Sequence, residues 1–194
     1  MEFLTFLPGL IIGITFHEAA HAWSAMLLGD HLAYSQGRVT LNPLKHLSPL
    51  GTAALFLIGF GWGRPVAVNL YNFKRPKFYY LLSSLAGPAA NLMICIICMA
   101  SLRFTTEDSI AQKLLYGTYL INGLLCVLNM LPIPPLDGSK IWPCIIPGMR
   151  PLSSDKWNLI WTVVLVVLIF SNMTDKFIIK MLEMLTVVLA KIIY

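Results

Sequence analysis

Two histidines and a glutamate near the N-terminus have the types and the spacing that metal chemistry requires. They stand in the run His17-Glu18-Ala19-Ala20-His21. On a helix, residues four apart lie on the same face one turn apart, so both imidazoles can reach one zinc ion. Glu18 points about 100° away around the axis, where a carboxylate can act as general base toward a water on the metal. The run therefore predicts a hydrolytic zinc site.

The same run lies within an apolar stretch, Phe3–Leu28, that is long enough to cross a bilayer. Ionisable side chains are costly in hydrocarbon, so their presence in a span indicates a functional site. Of the 194 residues, 57% are hydrophobic and 12% are charged, whereas soluble domains have about 25% charged residues. We therefore expect a polytopic membrane protein. Its net charge of +5 is expected to reflect loop topology and not nucleic-acid binding.

Five apolar segments approach the length of a membrane-spanning helix. They are Phe3–Leu28, Phe78–Leu102, Lys113–Leu131, Lys156–Ser171 and Lys176–Tyr194. A sixth stretch, Leu47–Trp62, is apolar but interrupted by proline and glycine, which favours a re-entrant or interfacial segment. We expect an all-α polytopic fold of about five transmembrane helices plus this segment. It forms a single membrane-embedded domain over residues 1–194, with a core at 3–150 and a C-terminal helical pair at 155–194.

A catalytic zinc has three protein ligands and one open position, so a third ligand must come from elsewhere in the chain. The other acidic candidates near the spans are Glu107, Asp108, Asp137, Asp155, Asp175 and Glu183. Asp137 is favoured because prolines at 132, 134 and 135 stop the preceding helix and stiffen the chain. That arrangement holds one carboxylate at the end of a span, although Asp137 as a simple turn cap is the alternative.

Topology decides how Asp137 can meet the histidines. The C-terminal ends of the first and third spans must lie at the same membrane face, which requires an odd number of crossings between them. Phe78–Leu102 alone satisfies this, whereas Leu47–Trp62 as a second crossing would not. With the N-terminus outside, ten of the 14 lysines and arginines lie in or beside inside loops, as the positive-inside rule expects. The site is then expected nearer the cytoplasmic face.

Two motifs together resemble a known family. H-E-x-x-H in an N-terminal span, with N-M-L-P-I-P-P-L-D-G at 129–138, resembles the site-2 protease family of intramembrane zinc metalloproteases. The runs at 37–44, 61–69 and 86–91 resemble its compact prokaryotic branch, which lacks a PDZ domain. The likeness covers roughly residues 3–150.

The resemblance implies a role for each matching position. The family's zinc ligands match His17, His21 and Asp137, and its catalytic base and acid matches Glu18. Its substrate-orienting or oxyanion-stabilising asparagine matches Asn129, for which a helix C-cap is the alternative.

A further asparagine, Asn91, matches a position on the neighbouring span. The resemblance implies a supporting hydrogen bond there, and a simple bridge between two spans is the alternative.

The implied function is an intramembrane endopeptidase with one zinc per chain that cuts transmembrane proteins or membrane peptides. Its expected location is a prokaryotic cytoplasmic (inner) membrane, as a multi-pass protein. The alternative is a zinc-binding transporter or regulator without peptidase activity. Glu18 argues against that alternative because a transporter needs no base beside its first histidine. We also expect short β-strands at Gly37–Asn42 and Pro65–Asn69, and hypothesise that one offers an edge to an unwound substrate.

Overall fold

The computed structural model describes residues 2–58, 61–149 and 175–193, together with residues 160, 161, 163, 164, 167 and 171. Most of these residues are helical. The elements in chain order are α1 (Glu2–Leu27), α2 (Leu32–Ser35), α3 (Pro43–His46), α4 (Pro49–Ile58), a 3-10 turn (Leu70–Asn72), α5 (Pro76–Leu102), α6 (Ile110–Asn129), α7 (Gly138–Ile145) and α8 (Asp175–Ile193). The expectation of a helical protein is confirmed.

Helices α1, α5 and α6 pack against one another at the centre of the fold. Small residues allow α1 and α6 to approach closely. A Cβ atom built on Gly9 would lie 2.5 Å from the Cα atom of Thr118, and one on Gly13 would lie 2.8 Å from Oδ1 of Asn122. Close contact through small residues is typical of helices that associate in membranes. Helix α8 packs on the outside of α5 and α6.

By length and apolar composition, one of the described helices, α5, can cross a membrane. Helix α1 has 26 residues but includes the histidines and glutamate of the candidate site. Helix α6 has 20 residues and includes Asn122 and Asn129. The polar residues of the candidate site therefore lie within two long, otherwise largely apolar helices that pack beside α5. The expected span at Lys156–Ser171 falls largely outside the described residues.

The expected β-strands are not formed, and this prediction was wrong for both segments. Residues 37–42 and 65–69 are irregular, and one isolated antiparallel bridge, Leu47 to Gly63, is seen in the described chain. In residues 37–42 the backbone donors are used mainly in local turns, and in residues 65–69 side chains take the donors that a strand partner would need. The amide of Val66 donates to Glu18 and that of Asn69 donates to Asp30.

The sixth apolar stretch contains α4, which is too short to cross a bilayer. Its ten residues extend about 15 Å at 1.5 Å per residue, and the hydrocarbon is about 30 Å thick. The bridge between Leu47 and Gly63 brings the two ends of the stretch together. The chain therefore enters and leaves this segment at one place, as a re-entrant or interfacial element must.

Candidate metal centre

Three buried side chains from distant parts of the chain meet at one point. The Nε2 atoms of His17 and His21 lie 3.1 Å apart, and each is 3.0 Å from Oδ2 of Asp137. The three residues are at most 7% exposed. Helix α1 supplies both histidines on one face, and the loop before α7 supplies the carboxylate. The structure thus brings together the three residues that the sequence predicts as ligands.

Hydrogen bonds on the far side of each ring fix the histidine tautomers. Nδ1 of His21 lies 2.7 Å from the carbonyl oxygen of Ser83. A carbonyl can only accept, so this nitrogen carries the proton. Nδ1 of His17 lies 2.7 Å from Oδ1 of Asn91 and donates in the same way. In the neutral rings, both Nε2 atoms then present lone pairs toward Asp137.

The orientation of Asn91 is set by a chain of hydrogen bonds that reaches α6. Nδ2 of Asn122 donates to one carbonyl of α1 at 3.2 Å and one of α6 at 2.8 Å. Oδ1 of Asn122 must therefore face Asn91, whose Nδ2 donates to it at 2.9 Å and to a carbonyl of α1 at 3.2 Å. Oδ1 of Asn91 is left to accept from His17. Asn122 was missed from the sequence, although an amide within an apolar span needs partners and is a usable signal.

The donor set and the surrounding space fit a zinc ion. Two imidazole nitrogens and one carboxylate oxygen are usual zinc ligands, and their lone pairs repel one another here unless a cation or an added proton lies between them. Helix α5 leaves room in front of them at Gly87. A Cβ atom built on Gly87 would lie 2.4 Å from Nε2 of His21 and 2.7 Å from Nε2 of His17. The missing side chain keeps the ligand atoms accessible.

Asp137 stands at the start of α7, but its side chain does not cap that helix. Its Oδ1 accepts from Nζ of Lys140 at 2.9 Å. Burial would raise the pKa of this carboxyl, but in the zinc-free site the charge of a protonated His21, the charge of Lys140 and hydrogen bonds from the protonated histidine rings hold its pKa well below the usual range. The carboxylate is therefore ionised, and it faces the histidines instead of capping a turn.

Lys140 was also missed from the sequence. It lines the cavity beside the site, and burial lowers its pKa while Asp137 raises it, with a net rise. A lysine three residues after an acidic residue at a helix start is a recognisable pair, so this contact could have been found.

Glu18 and Asn129 line the same cavity as the three converging residues; its volume is about 150 Å³. Oε2 of Glu18 accepts from the amide of Val66 at 2.8 Å. Nδ2 of Asn129 donates to the Leu125 carbonyl one turn back at 3.0 Å, and its Oδ1 accepts from the amide of Asp137 at 3.4 Å. Asn129 is the last residue of α6, whose C-cap is Met130, and its side chain joins the end of this helix to the Asp137 loop.

Comparisons with known proteins indicate the family of this chain. Residues 105–171 match peptidase family M50. The chain is 40% identical to YwhC of Bacillus subtilis over 151 residues, which covers 73% of this chain and 69% of that protein. It is 34% identical to Rip2 of Mycolicibacterium smegmatis over 176 residues, covering 85% and 67% of the two chains. It is 29% identical to MJ0611 of Methanocaldococcus jannaschii over 166 residues, covering 83% and 76%.

Each of these three relatives is designated as a candidate zinc metalloprotease. No solved structure matches the chain significantly. On the strength of the shared sequence with YwhC, the chain belongs to peptidase family M50, the site-2 protease family.

Proposed function

We propose that this chain is an intramembrane zinc endopeptidase that binds one zinc ion through His17, His21 and Asp137. It hydrolyses peptide bonds in or near transmembrane segments of proteins or membrane peptides. The observation that carries the proposal is the convergence of three ligand atoms within about 3 Å of one another on a cavity that also contains Glu18. Membership of family M50 and the relatives designated as candidate zinc metalloproteases favour this function over a transporter or regulator.

Bound zinc would lower the pKa of a coordinated water to about 7 and polarise the carbonyl of the scissile bond. Glu18 takes a proton from the attacking water through the oxygen that does not hold Val66. It then delivers this proton to the leaving amine as the C–N bond breaks. Glu18 directly follows the first ligand in α1 and lines the same cavity as the three ligands, so it would act beside the metal and would not hold it.

Asn129 lines the same cavity as Glu18 and acts on the substrate carbonyl. Its Oδ1 holds the amide of Asp137 and one N–H of its Nδ2 is committed to Leu125. The other N–H faces no further partner in the described part of the chain and can donate to the substrate carbonyl as negative charge develops on it.

The substrate lies in extended form along residues 65–69. Val66 and Val68 line the cavity, whereas residues 37–42 do not contribute to it. Because the amides of Val66 and Asn69 are already committed, the contact uses the remaining backbone groups of this segment and not a complete strand edge. The substrate therefore does not add to a regular strand edge at this segment.

The chain crosses the membrane about five times, with the N-terminus outside and the site nearer the cytoplasmic face of a prokaryotic inner membrane. The apolar length of α5, the adjacent ends of the Leu47–Trp62 segment and the excess of basic residues in the inside loops support this arrangement. The whole chain, 1–194, forms one membrane-embedded domain, with a core at 3–150 and a C-terminal helical pair at 155–194.

Zinc content and cleavage test the proposal together. In detergent, the purified wild type should contain about one zinc per chain, and Asp137→Ala should lose most of it. Glu107→Ala, which removes an exposed acid in the loop before α6, is the matched control and should retain zinc. Glu18→Gln should also retain zinc but should not cleave a transmembrane substrate. A folded wild type without zinc, or an active Glu18→Gln variant, would refute the assignment.

A further inference from the structure

Arg38 is a buried cation whose closest partners are backbone carbonyls. It is 4% exposed, and its guanidinium donates to the carbonyls of Arg64 and Pro65, the latter at 3.3 Å. Its Nε makes no hydrogen bond within the described chain, and no carboxylate of the described residues forms an ion pair with it. Buried charges normally have a charged partner, so a buried arginine that holds two successive carbonyls requires an explanation.

The two carbonyls that Arg38 holds directly precede a backbone group that contacts Glu18. The next backbone donor after those two carbonyls is the amide of Val66, which donates to Oε2 of Glu18 at 2.8 Å. The guanidinium of Arg38 therefore fixes the backbone at residues 64 and 65, immediately before the amide that holds Glu18, the proposed base. A planar, two-pronged donor suits two neighbouring acceptors, and a lysine ammonium does not reproduce that geometry.

His46 holds Arg38 in this position. It is fully buried, and its Nε2 donates to the carbonyl of Thr40 at 2.8 Å. Its Nδ1 is then an acceptor, and it lies 3.5 Å from Nη2 of Arg38. The backbone of His46 also accepts from the amide of Arg64 at 2.7 Å. Helix α3 is thereby joined to the segment that Arg38 clamps.

We propose that Arg38 is a positioning residue that sets the orientation of Glu18 through residues 64–66. This inference rests on the proposed function, because Glu18 is the base only in that function. Without the guanidinium, the carbonyls of Arg64 and Pro65 lose their donor and the segment moves. Val66 then no longer fixes one oxygen of Glu18. Displacement of a catalytic group by about 1 Å can cost about a hundredfold in rate.

The test compares Arg38→Ala and Arg38→Lys with Lys45→Ala. Lys45 is an exposed cation of the same loop region and serves as the matched control. Arg38→Ala should retain the wild-type zinc content, while kcat falls about a hundredfold and KM changes less. Arg38→Lys should restore only part of the rate. Hydrogen–deuterium exchange at residues 64–68 should speed up in both Arg38 variants and stay unchanged in Lys45→Ala.

A double variant tests whether Arg38 affects kcat through the Val66 amide. Val66→Pro removes the amide that holds Glu18, so adding Arg38→Ala to it should lower kcat much less than it does in the wild type. Full additivity of the two changes would overturn the inference, as would wild-type kcat and exchange in Arg38→Ala. If Arg38→Ala does not fold, Arg38→Lys decides, because wild-type kcat in that variant also overturns it.

Failure of the proposed function is distinguishable from failure of the positioning role of Arg38. A wild type that binds zinc but cleaves no substrate refutes the endopeptidase assignment. Cleavage by the wild type with no effect of either Arg38 variant refutes the positioning role alone.

Discussion

At the scale of single residues, Gly87 determines whether the ligand atoms can be reached. Its missing side chain leaves the space that a Cβ atom would otherwise fill, 2.4 Å from Nε2 of His21. Gly87→Ala should weaken zinc binding at least about tenfold, since overpacking costs about 1–3 kcal/mol and tenfold corresponds to about 1.4 kcal/mol. Competition with a chelator measures the affinity. Gly123→Ala, a helix glycine that faces α8, should retain wild-type affinity; equal affinities in all three proteins would contradict the steric argument.

Lys140 acts on the metal site through the outer oxygen of Asp137. Its Nζ lies 2.9 Å from Oδ1, while Oδ2 faces the two histidines. Lys140→Met should lower zinc affinity about 10- to 100-fold, the usual effect of losing a partner of a metal ligand. Lys113→Met is the matched control because its ion pair with Asp108 is exposed and such pairs contribute little. Unchanged affinity in Lys140→Met would show that Asp137 needs no such support.

The ion pair between Lys140 and Asp137 predicts that the stability of the zinc-free protein depends on pH. Because the folded state holds the pKa of Asp137 below its ordinary value, the pair stabilises the fold above the unfolded pKa of about 3.9. This contribution is lost as the pH falls toward and through the lowered pKa. The difference in Tm between wild type and Lys140→Met should therefore be present at pH 7 and shrink below about pH 4. A difference that grows on acidification would contradict this sign.

At the scale of helices, a chain of amides joins α1, α5 and α6 to the site. Asn122 orients Asn91, and Oδ1 of Asn91 accepts a hydrogen bond from Nδ1 of His17. Asn122→Ala should lower zinc affinity about tenfold or more, as loss of an outer hydrogen-bond partner does, although residue 122 touches no ligand. Gln112→Ala, near the start of α6, is the control. Zinc binding of wild-type strength in Asn122→Ala would mean that Asn91 holds its orientation without α6.

The sequence permits the site to be predicted better than its surroundings. The spacing of His17 and His21, and the prolines that hold Asp137 at the end of the third span, were enough to expect that the three residues meet. The irregular course of residues 65–69 could not be read in the same way. An alternating pattern indicates which side chains are apolar, but not whether the amides will bond a neighbouring strand or, as at Val66 and Asn69, carboxylates of Glu18 and Asp30.

Asn122 shows a second limit of the sequence. An amide within a span signals a need for partners, but the partner can be any helix. Only the packing of α1 against α6 supplies the carbonyl that fixes its orientation.

At the scale of the whole molecule, the proposed membrane arrangement depends on one short segment. Helix α4 is about 15 Å long, and the ends of its segment meet at Leu47 and Gly63. If the segment returns to the same face, the loops before and after it lie on one side of the membrane. A full crossing would instead place them on opposite sides, and α1 and α6 would not reach the same face with their site residues.

Accessibility of single cysteines decides between these arrangements. The four native cysteines, Cys95, Cys98, Cys126 and Cys144, are first replaced by serine or alanine. Lys45→Cys and Lys74→Cys, on either side of the segment, should both react with a membrane-impermeant thiol reagent from the cytoplasmic side in inverted vesicles. Glu107→Cys, beyond α5, should react only from the opposite side in intact spheroplasts. Labelling of positions 45 and 74 from opposite sides would make Leu47–Trp62 a full crossing and would overturn the parity argument that makes this segment re-entrant.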